Sequence, residues 1–352
     1  MDKIRVLVCD DSALMRTSLK KIIESDPELS VIASARDGED AIQKARDLKP
    51  DVITMDINMP GIDGITALQI IVSEGIAPVL MVSSLTQQGV STTFEALALG
   101  AFDYVAKPGG TVSVQLSAVA HEIIQKIKAA VRPGTLRKLK RKTSLSNVPT
   151  KIQKISSKKS KTGFKAIAMG ISTGGPKTLF DVLPFLPRDL NAPIFLVQHM
   201  PAKFIPSFAD RIDKNCQMKC VVAEAATKVE PGIIYLGKGD YHLTLFGKTT
   251  HNILIRNTTK PKQLFMPSVD IMMRSVLEVF GADTIGVLMT GMGDDGADAM
   301  VEITRAGGIT IAESEESAIV FGMPQEAIKR GGARIIKPAW EIADEIIKAV
   351  GE

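Results

Sequence analysis

Gly170-Ile171-Ser172-Thr173-Gly174-Gly175 follows directly on the apolar run Ala166-Ile-Ala-Met169, and this junction decides how the second half of the chain is built. The apolar run reads as a buried strand, and the glycine-flanked turn after it leads toward a helix expected over 177–185. Strand, tight turn and helix make one α/β unit, with the turn at the carboxyl edge of a sheet. A serine there is exposed beside free backbone N–H groups, which together can supply a nucleophile and half of an oxyanion hole. The same glycines can cradle a phosphate at a helix N-terminus, so the turn alone leaves two chemistries open.

Outward from this unit, further strands are expected over 193–198, 220–223, 232–236, 243–246, 253–255, 285–289 and 309–312. Helices are expected over 203–215, 268–280, 297–305, 325–330 and 342–350. The early and late portions read as βα units. The short middle strands, punctuated by Gly232, Gly237, Gly239 and Gly247, read as an antiparallel patch. The N-terminal part alternates too, with strands over 4–9, 31–34, 51–55, 78–82 and 104–106. Helices over 12–25, 39–48, 65–73, 91–99 and 114–131 fall between and after them. Such alternation predicts a doubly wound parallel sheet. Segment 132–163, rich in Lys, Ser and Thr and holding Pro133 and Pro149, has no apolar period and reads as linker. The expected organisation is a first domain over 1–128, a flexible basic linker over 129–162 and a second α/β domain over 163–352.

A chain of 352 residues is too long for one ordinary core and fits two domains. No apolar run is long enough to span a bilayer and no signal peptide is evident, so the protein is expected to be cytoplasmic and not inserted in a membrane. Three cysteines are too few for a disulfide framework, which agrees with a reducing compartment. Cys216 and Cys220 lack a second ligand pair with zinc spacing and read as plain thiols. The net charge of +4 conceals an asymmetry: residues 132–165 carry twelve Lys or Arg and no Asp or Glu. The remainder is therefore acidic, with 31 basic against 39 acidic residues. A basic run can contact nucleic acid, but this one lacks interleaved aromatics and reads as a solvated linker.

Asp10 and Asp11 end the first strand and Asp56 the third, so the three carboxylates share one crevice at the sheet's carboxyl edge. Carboxylates crowded in this way call for a cation, and Mg²⁺ suits a site of carboxylates and phosphate oxygens. Ser83 ends the fourth strand, placed to bond a phosphoryl oxygen, and Lys107 ends the fifth, placed to pair with its charge. Asp56 would then be the nucleophile that forms an aspartyl phosphate. Asp10-Asp11, Asp56 with Met59-Pro60-Gly61 and Asp63-Gly64, Ser83, and Tyr104 ahead of Lys107-Pro108 resemble the receiver domain of response regulators over about 3–125. That resemblance implies a flavodoxin-like sheet of strand order 2-1-3-4-5 and a histidine kinase as phosphodonor. It also implies a cis Lys107–Pro108 peptide and a Ser83/Tyr104 rotamer switch.

A serine nucleophile needs a base, and the base needs an orienting group. Of four histidines, His121 lies in the first domain and His251 in a polar turn. His199 closes strand 193–198 at the same sheet edge as Ser172, with His242 as its rival. The acid is expected in Gly291-Met-Gly-Asp294-Asp295-Gly296, where physics alone does not separate the two aspartates. The chain order Ser–His–Asp excludes the α/β-hydrolase layout, and no P-loop lysine follows. Taken with the receiver, these stretches resemble the chemotaxis protein-glutamate methylesterases, the CheB family, over about 164–348. The motifs are Gly170–Pro176, Gln198-His-Met-Pro201, Pro267-Ser-Val-Asp270, Thr290-Gly-Met-Gly-Asp-Asp-Gly-Ala297 and Phe321-Gly-Met-Pro324.

The resemblance implies Ser172 as nucleophile, His199 as base and Asp295 as its orienter. The N–H of Met292 would hold the oxyanion with Thr173 nearby, and no cofactor would serve the esterase. The substrates would be methyl-esterified glutamates on chemoreceptor helices, with receptor glutamines as further substrates. Phosphorylation would uncover the Ser172 crevice. A receiver-controlled DNA-binding protein, the rival from another class, would need a recognition helix or wing that the second domain does not offer.

Overall fold

The computed structural model of the chain describes residues 3–83, 86–107, 115–140, 163–247 and 252–351. They fall into two compact units divided after Lys142. In the first unit, β1 (Ile4–Cys9), α1 (Ala13–Glu24), β2 (Leu29–Ala35), α2 (Gly38–Leu48), β3 (Val52–Asp56) and α3 (Gly64–Glu74) alternate. β4 (Val79–Ser83), α4 (Gln87–Leu99), β5 (Asp103–Ala106) and α5 (Gln115–Ala130) continue the pattern. The strands pair in parallel in the order β2-β1-β3-β4-β5, as expected. β3 and β4 are buried along their whole length, which is why they read as unbroken apolar runs.

Helices α1 to α4 start on side-chain caps, with Ser12, Asp37, Asp63 and Thr86 each accepting a first-turn N–H. Strand order reverses between β1 and β3, so Asp10 and Asp56 flank the crevice where ligands bind in open α/β sheets. At Gly64 a Cβ would fall 1.8 Å from the carbonyl oxygen of Asp56, so only glycine lets α3 begin so close to that strand end.

A short helix, α6 (Thr135–Lys140), occupies part of the stretch read as linker and buries Thr135 and Leu139. Its apolar signal is one Leu136/Leu139 pair among basic residues, too little to show a period. The expected linker also takes in the end of α5, and its residues 141–162 lie outside the described residues.

The second unit begins with β6 (Ala166–Ile171), α7 (Gly175–Thr178), β7 (Ile194–Gln198), α8 (Ile205–Asn215), β8 (Lys219–Val222) and β9 (Ile233–Leu236). It continues through β10 (His242–Phe246), β11 (Leu254–Thr258), α9 (Val269–Phe280), β12 (Thr284–Leu288) and α10 (Ala297–Arg305). It closes with β13 (Ile309–Glu313), α11 (Met323–Lys329), β14 (Ile335–Lys337) and α12 (Ala339–Gly351). Seven strands form a sheet of order β14-β13-β12-β6-β7-β9-β8, parallel throughout. Among the described residues β10 and β11 are the one pair of these strands that runs antiparallel, as a separate ribbon, and a single antiparallel bridge joins Lys228 to Leu254.

This ribbon is the small antiparallel patch expected beside a mostly parallel sheet, and of the short middle strands β8 and β9 join the parallel sheet. A short strand's own residues do not say which way its partner runs. β14 was not expected, since three residues are too few to show alternation. The helix expected over 177–185 is one turn of α7 followed by 3₁₀ turns at Leu179–Asp181 and Leu183–Phe185. Pro184 lies in the second of these turns and cannot donate to a helix.

The chain leaves β6 toward β7 and returns to β12 on β6's other side, so the switch point lies at the carboxyl ends of β6 and β12. Helix α9 fixes that end. Val269, Met272, Met273, Val276 and Phe280 recur at helical spacing and are buried in the core. Burying each such side chain contributes about 1.5–3 kcal/mol, which pins the helix N-terminus against the loop after β12.

Candidate active site and phospho-acceptor crevice

Ser172 follows β6 and is held by the strands beside it. Its N–H donates to Thr290 O at 2.9 Å, and its own carbonyl accepts from Gly175 N at 2.8 Å. Gly174 takes φ +79°, and a Cβ there would fall 2.7 Å from Ile319 Cβ. Thr290 organises the turn from the next strand: its Oγ1 donates to Thr173 O (2.9 Å) and accepts from Val320 N (2.9 Å). The Thr290 N–H donates to the buried carboxylate of Glu313 at 2.7 Å. A Cβ on Gly291 would fall 2.8 Å from Ser172 Cβ, so the loop after β12 lies directly against the serine. Among the described residues, the main-chain N–H groups of Thr173 and Met292 donate to no protein acceptor. Both remain available to an incoming oxygen.

His199 follows β7, with its N–H bonded to Ile171 O at 3.1 Å. Its Nε2 lies 2.9 Å from Asp295 Oδ2, and its ring is stacked on Phe265 with centroids 4.2 Å apart and planes 10° from parallel. Among the described residues no hydrogen bond joins His199 Nδ1 to a partner, and none joins it to Ser172. Asp295 is fixed on both oxygens. Oδ1 accepts from Ser268 Oγ (2.8 Å) and Asp270 N (3.0 Å), and Oδ2 from Val269 N (2.7 Å) as well as His199. Burial would raise the Asp295 carboxyl pKa, but the His199 bond and charge and the N–H groups of Asp270 and Val269 outweigh it. The net effect holds this carboxyl below the ordinary aspartate value, as expected for a carboxylate that orients an imidazole.

The two ambiguities separate cleanly. Asp294 is exposed and ion-paired with Arg330 (Oδ2 to Nη2, 2.6 Å), away from His199. His242 is fully buried, and its Nδ1 accepts from Ser268 N at 3.1 Å, so Nε2 carries the proton donated to Pro261 O at 2.8 Å. His242 thus supports the cap residue that binds Asp295. His121 is exposed in the first unit, and His251 lies outside the described residues.

In the first unit Lys107 Nζ sits 2.8 Å from Asp10 Oδ2 and 2.9 Å from Asp56 Oδ2. Ligand oxygens of Asp10, Asp11 and Asp56 lie within 4.8 Å of one another, with Asp10 and Asp56 buried and Asp11 exposed. This all-oxygen donor set at a solvent-facing crevice fits a hard divalent cation such as Mg²⁺. Burial raises the Asp56 pKa, with Asp10 adding to the rise and the Lys107 bond and charge opposing it. For Lys107, burial is outweighed by its bonds to Asp10 and Asp56, which raise its pKa. Ser83 Oγ accepts from Thr93 Oγ1 at 2.7 Å, and Tyr104 is buried. Pro108, the second half of the expected cis peptide, lies outside the described residues.

Sequence reasoning found the side chains that end strands and missed those that hold them. Glu313, Phe265 and Thr93 carry no local signal, because their partners are set by the folding of the chain, and Thr290 stood out only as the first residue of a motif. Pro267–Asp270 stood out only as a motif; its role, a helix start that clamps Asp295, needed the fold. The three cysteines are free thiols. Burial raises all three pKa values, with Cys216 pushed up to about 12. Among the described residues no helix is long and apolar enough to cross a membrane.

A family model for the response regulator receiver domain matches residues 6–117, and one for CheB methylesterase matches 167–346. The fold and site therefore define a receiver joined to a methylesterase-type α/β domain. The chain belongs to the CheB methylesterase family. It is 58% identical over 350 residues to protein-glutamate methylesterase/protein-glutamine glutaminase 3 of Syntrophomonas wolfei, covering 99% of each chain. The Thermotoga maritima protein-glutamate methylesterase/protein-glutamine glutaminase is 40% identical over 349 residues, covering 99% of this chain and 98% of that one. The crystal structure of the Thermotoga maritima CheB methylesterase catalytic domain matches with a TM-score of 0.52 and 36% identity, covering 53% of this chain and 99% of that one.

Proposed function

We propose that this chain hydrolyses glutamate γ-methyl esters on chemoreceptor helices, releasing methanol, and that phosphorylation of Asp56 by a chemotaxis histidine kinase raises the rate. The reading rests chiefly on the 2.9 Å contact between His199 and Asp295 at the strand ends that also carry Ser172. Ser172 Oγ attacks the ester carbonyl and gives its proton to His199 Nδ1, the ring nitrogen that Asp295 does not engage. The tetrahedral oxyanion is met by the N–H groups of Thr173 and Met292. Methanol is a poor leaving group, so the imidazolium returns the proton to it as the glutamyl acyl-enzyme forms. Water activated by His199 then frees the glutamate. Receptor glutamine follows the same path with ammonia departing.

In the receiver, Asp10, Asp11 and Asp56 would hold Mg²⁺, which supplies charge neutralisation for the phosphoryl group when bound. Lys107 and Ser83 would engage that group's oxygens. A differential stabilisation of about 1.4 kcal/mol between active and inactive forms changes their ratio tenfold. The protein would work in the cytoplasm without inserting in the membrane or binding nucleic acid. Methanol release from methyl-esterified chemoreceptor membranes, with and without a small phosphodonor, tests both parts. Equal rates remove the phosphorylation control, and activity retained by Ser172→Ala removes the nucleophile.

A further inference from the structure

We infer that Gln198 is a positioning residue for the oxyanion donors, its side-chain amide tying the Ser172–Thr173 peptide to the main chain of His199. The inference rests on the hydrolase reading above and adds a residue to it. Gln198 closes β7 in register with Ile171 and is 2% exposed. Its Nε2 lies 2.9 Å from Ser172 O and 3.0 Å from His199 O. Both partners are carbonyl oxygens, so this atom is the NH₂ nitrogen and each of its hydrogens is used.

The other end of the amide shows why the residue is informative. Gln198 Oε1 is buried with no hydrogen-bond partner among the described residues. It sits 2.1 Å from where a Cβ on Gly175 would be, so Gly175 admits the glutamine to the turn. A buried amide oxygen without a partner is costly, and methionine would fill the same volume without that cost. What the glutamine supplies beyond volume is the NH₂ bridge between the residues that follow β6 and β7.

The bridge acts on one peptide plane. Ser172 C=O and Thr173 N–H belong to the same planar group, so fixing the carbonyl fixes the direction of the N–H. Ser172 O is held twice, by Gln198 Nε2 and by Gly175 N at 2.8 Å. Donation to the carbonyl also polarises the peptide and strengthens its N–H as a donor. The gain is greatest where charge develops on the substrate oxygen, so Gln198 should act on kcat and leave KM alone.

The test uses the full chain as Gln198→Met, with Ser172→Ala beside it. Two rates are read: methanol release from methyl-esterified chemoreceptor membranes, and phosphonylation of Ser172 by a fluorophosphonate. In the second, the Oγ–P bond forms, fluoride leaves and the serine proton passes to His199. Expected are parallel losses of about 10- to 100-fold in kcat and phosphonylation, smaller than the 10²–10³ of deleting an oxyanion donor outright. KM should stay within about twofold. A kcat within about threefold of the parent, or a kcat loss without slower phosphonylation, overturns the inference. An inactive Ser172→Ala beside a fully active Gln198→Met removes this inference alone, whereas an active Ser172→Ala removes the hydrolase reading with it. Should Gln198→Met not fold, hydrogen exchange of the Gln198 side-chain NH₂ in ¹⁵N-glutamine-labelled parent protein decides. Slow exchange of both protons supports the bridge, and fast exchange overturns it.

Discussion

His199 turns Nε2, not Nδ1, toward Asp295, at 2.9 Å. The imidazole therefore faces its carboxylate in the reverse sense of the familiar serine-protease template, in which Nδ1 faces the aspartate. Asp295 is held by Ser268 Oγ and the N–H groups of Val269 and Asp270, so the carboxylate that the imidazole meets is fixed in place. The stack on Phe265 fixes the remaining freedom of the ring.

Asp295→Asn should lower methanol release by about 10⁴-fold, the scale of the corresponding change in the serine-protease template. An amide in this place can turn its NH₂ toward His199 and favour the wrong tautomer. Initial-rate kinetics on methylated receptor membranes check this, and a loss below about tenfold would count against the assigned role.

The same carboxylate should leave a pH signature on stability. Its pKa is lower in the folded state, so its contribution is present above the ordinary aspartate value of about 3.9 and is lost as pH falls through the folded value. The stability difference between the parent and Asp295→Asn should therefore hold steady at higher pH and narrow as the pH is taken below about 4. Urea unfolding of the second unit at stepped pH measures it.

His242→Leu should reduce stability far more than chemistry. It leaves the N–H of the buried Ser268 unpaired, at about 1–3 kcal/mol, and removes the donor to the carbonyl of the exposed Pro261. Activity per folded molecule should fall by no more than about tenfold, against about 10³-fold or more for His199→Leu. Denaturant melts and active-site titration separate the two effects.

Asp294→Asn should change kcat by less than about threefold. Asp294 and its partner Arg330 form an exposed ion pair, and such pairs contribute about 0–1 kcal/mol. Activity at low and high salt, compared with Asp295→Asn, makes the contrast.

Lys107→Met should make the receiver less stable without Mg²⁺ and more strongly stabilised by it. Lys107 is the cation between Asp10 and Asp56, and without it their repulsion is relieved only by a bound metal. Calorimetric melts with Mg²⁺ and with EDTA give the two shifts. An equal Mg²⁺ response in parent and variant would contradict the arrangement.

The fold and the positions of the candidate site side chains were legible because the two larger sheets are parallel. A parallel sheet gathers its strand ends at one edge, so Asp10, Asp56, Ser172 and His199 could be placed from where apolar runs stop. What stayed hidden depends on register and burial. Whether Asp294 or Asp295 faces the histidine turns on one peptide in a glycine-rich loop. His242 resembled a catalytic candidate until its two ring nitrogens were seen to be satisfied. The clamp made by Ser268 and the hold of Glu313 on Thr290 join residues 27 and 23 positions apart. No local pattern encodes such pairings.

The buried thiols have a practical use. Cys9 and Cys220 are buried and the Cys216 thiol is pushed up to about 12, so at neutral pH none offers much thiolate to an alkylating probe. Two cysteines introduced at exposed positions, such as Glu39 and Glu316, could then carry spin labels or a fluorophore pair on the native background. The separation of the two units could be followed as phosphodonor is added, with the natural cysteines left in place.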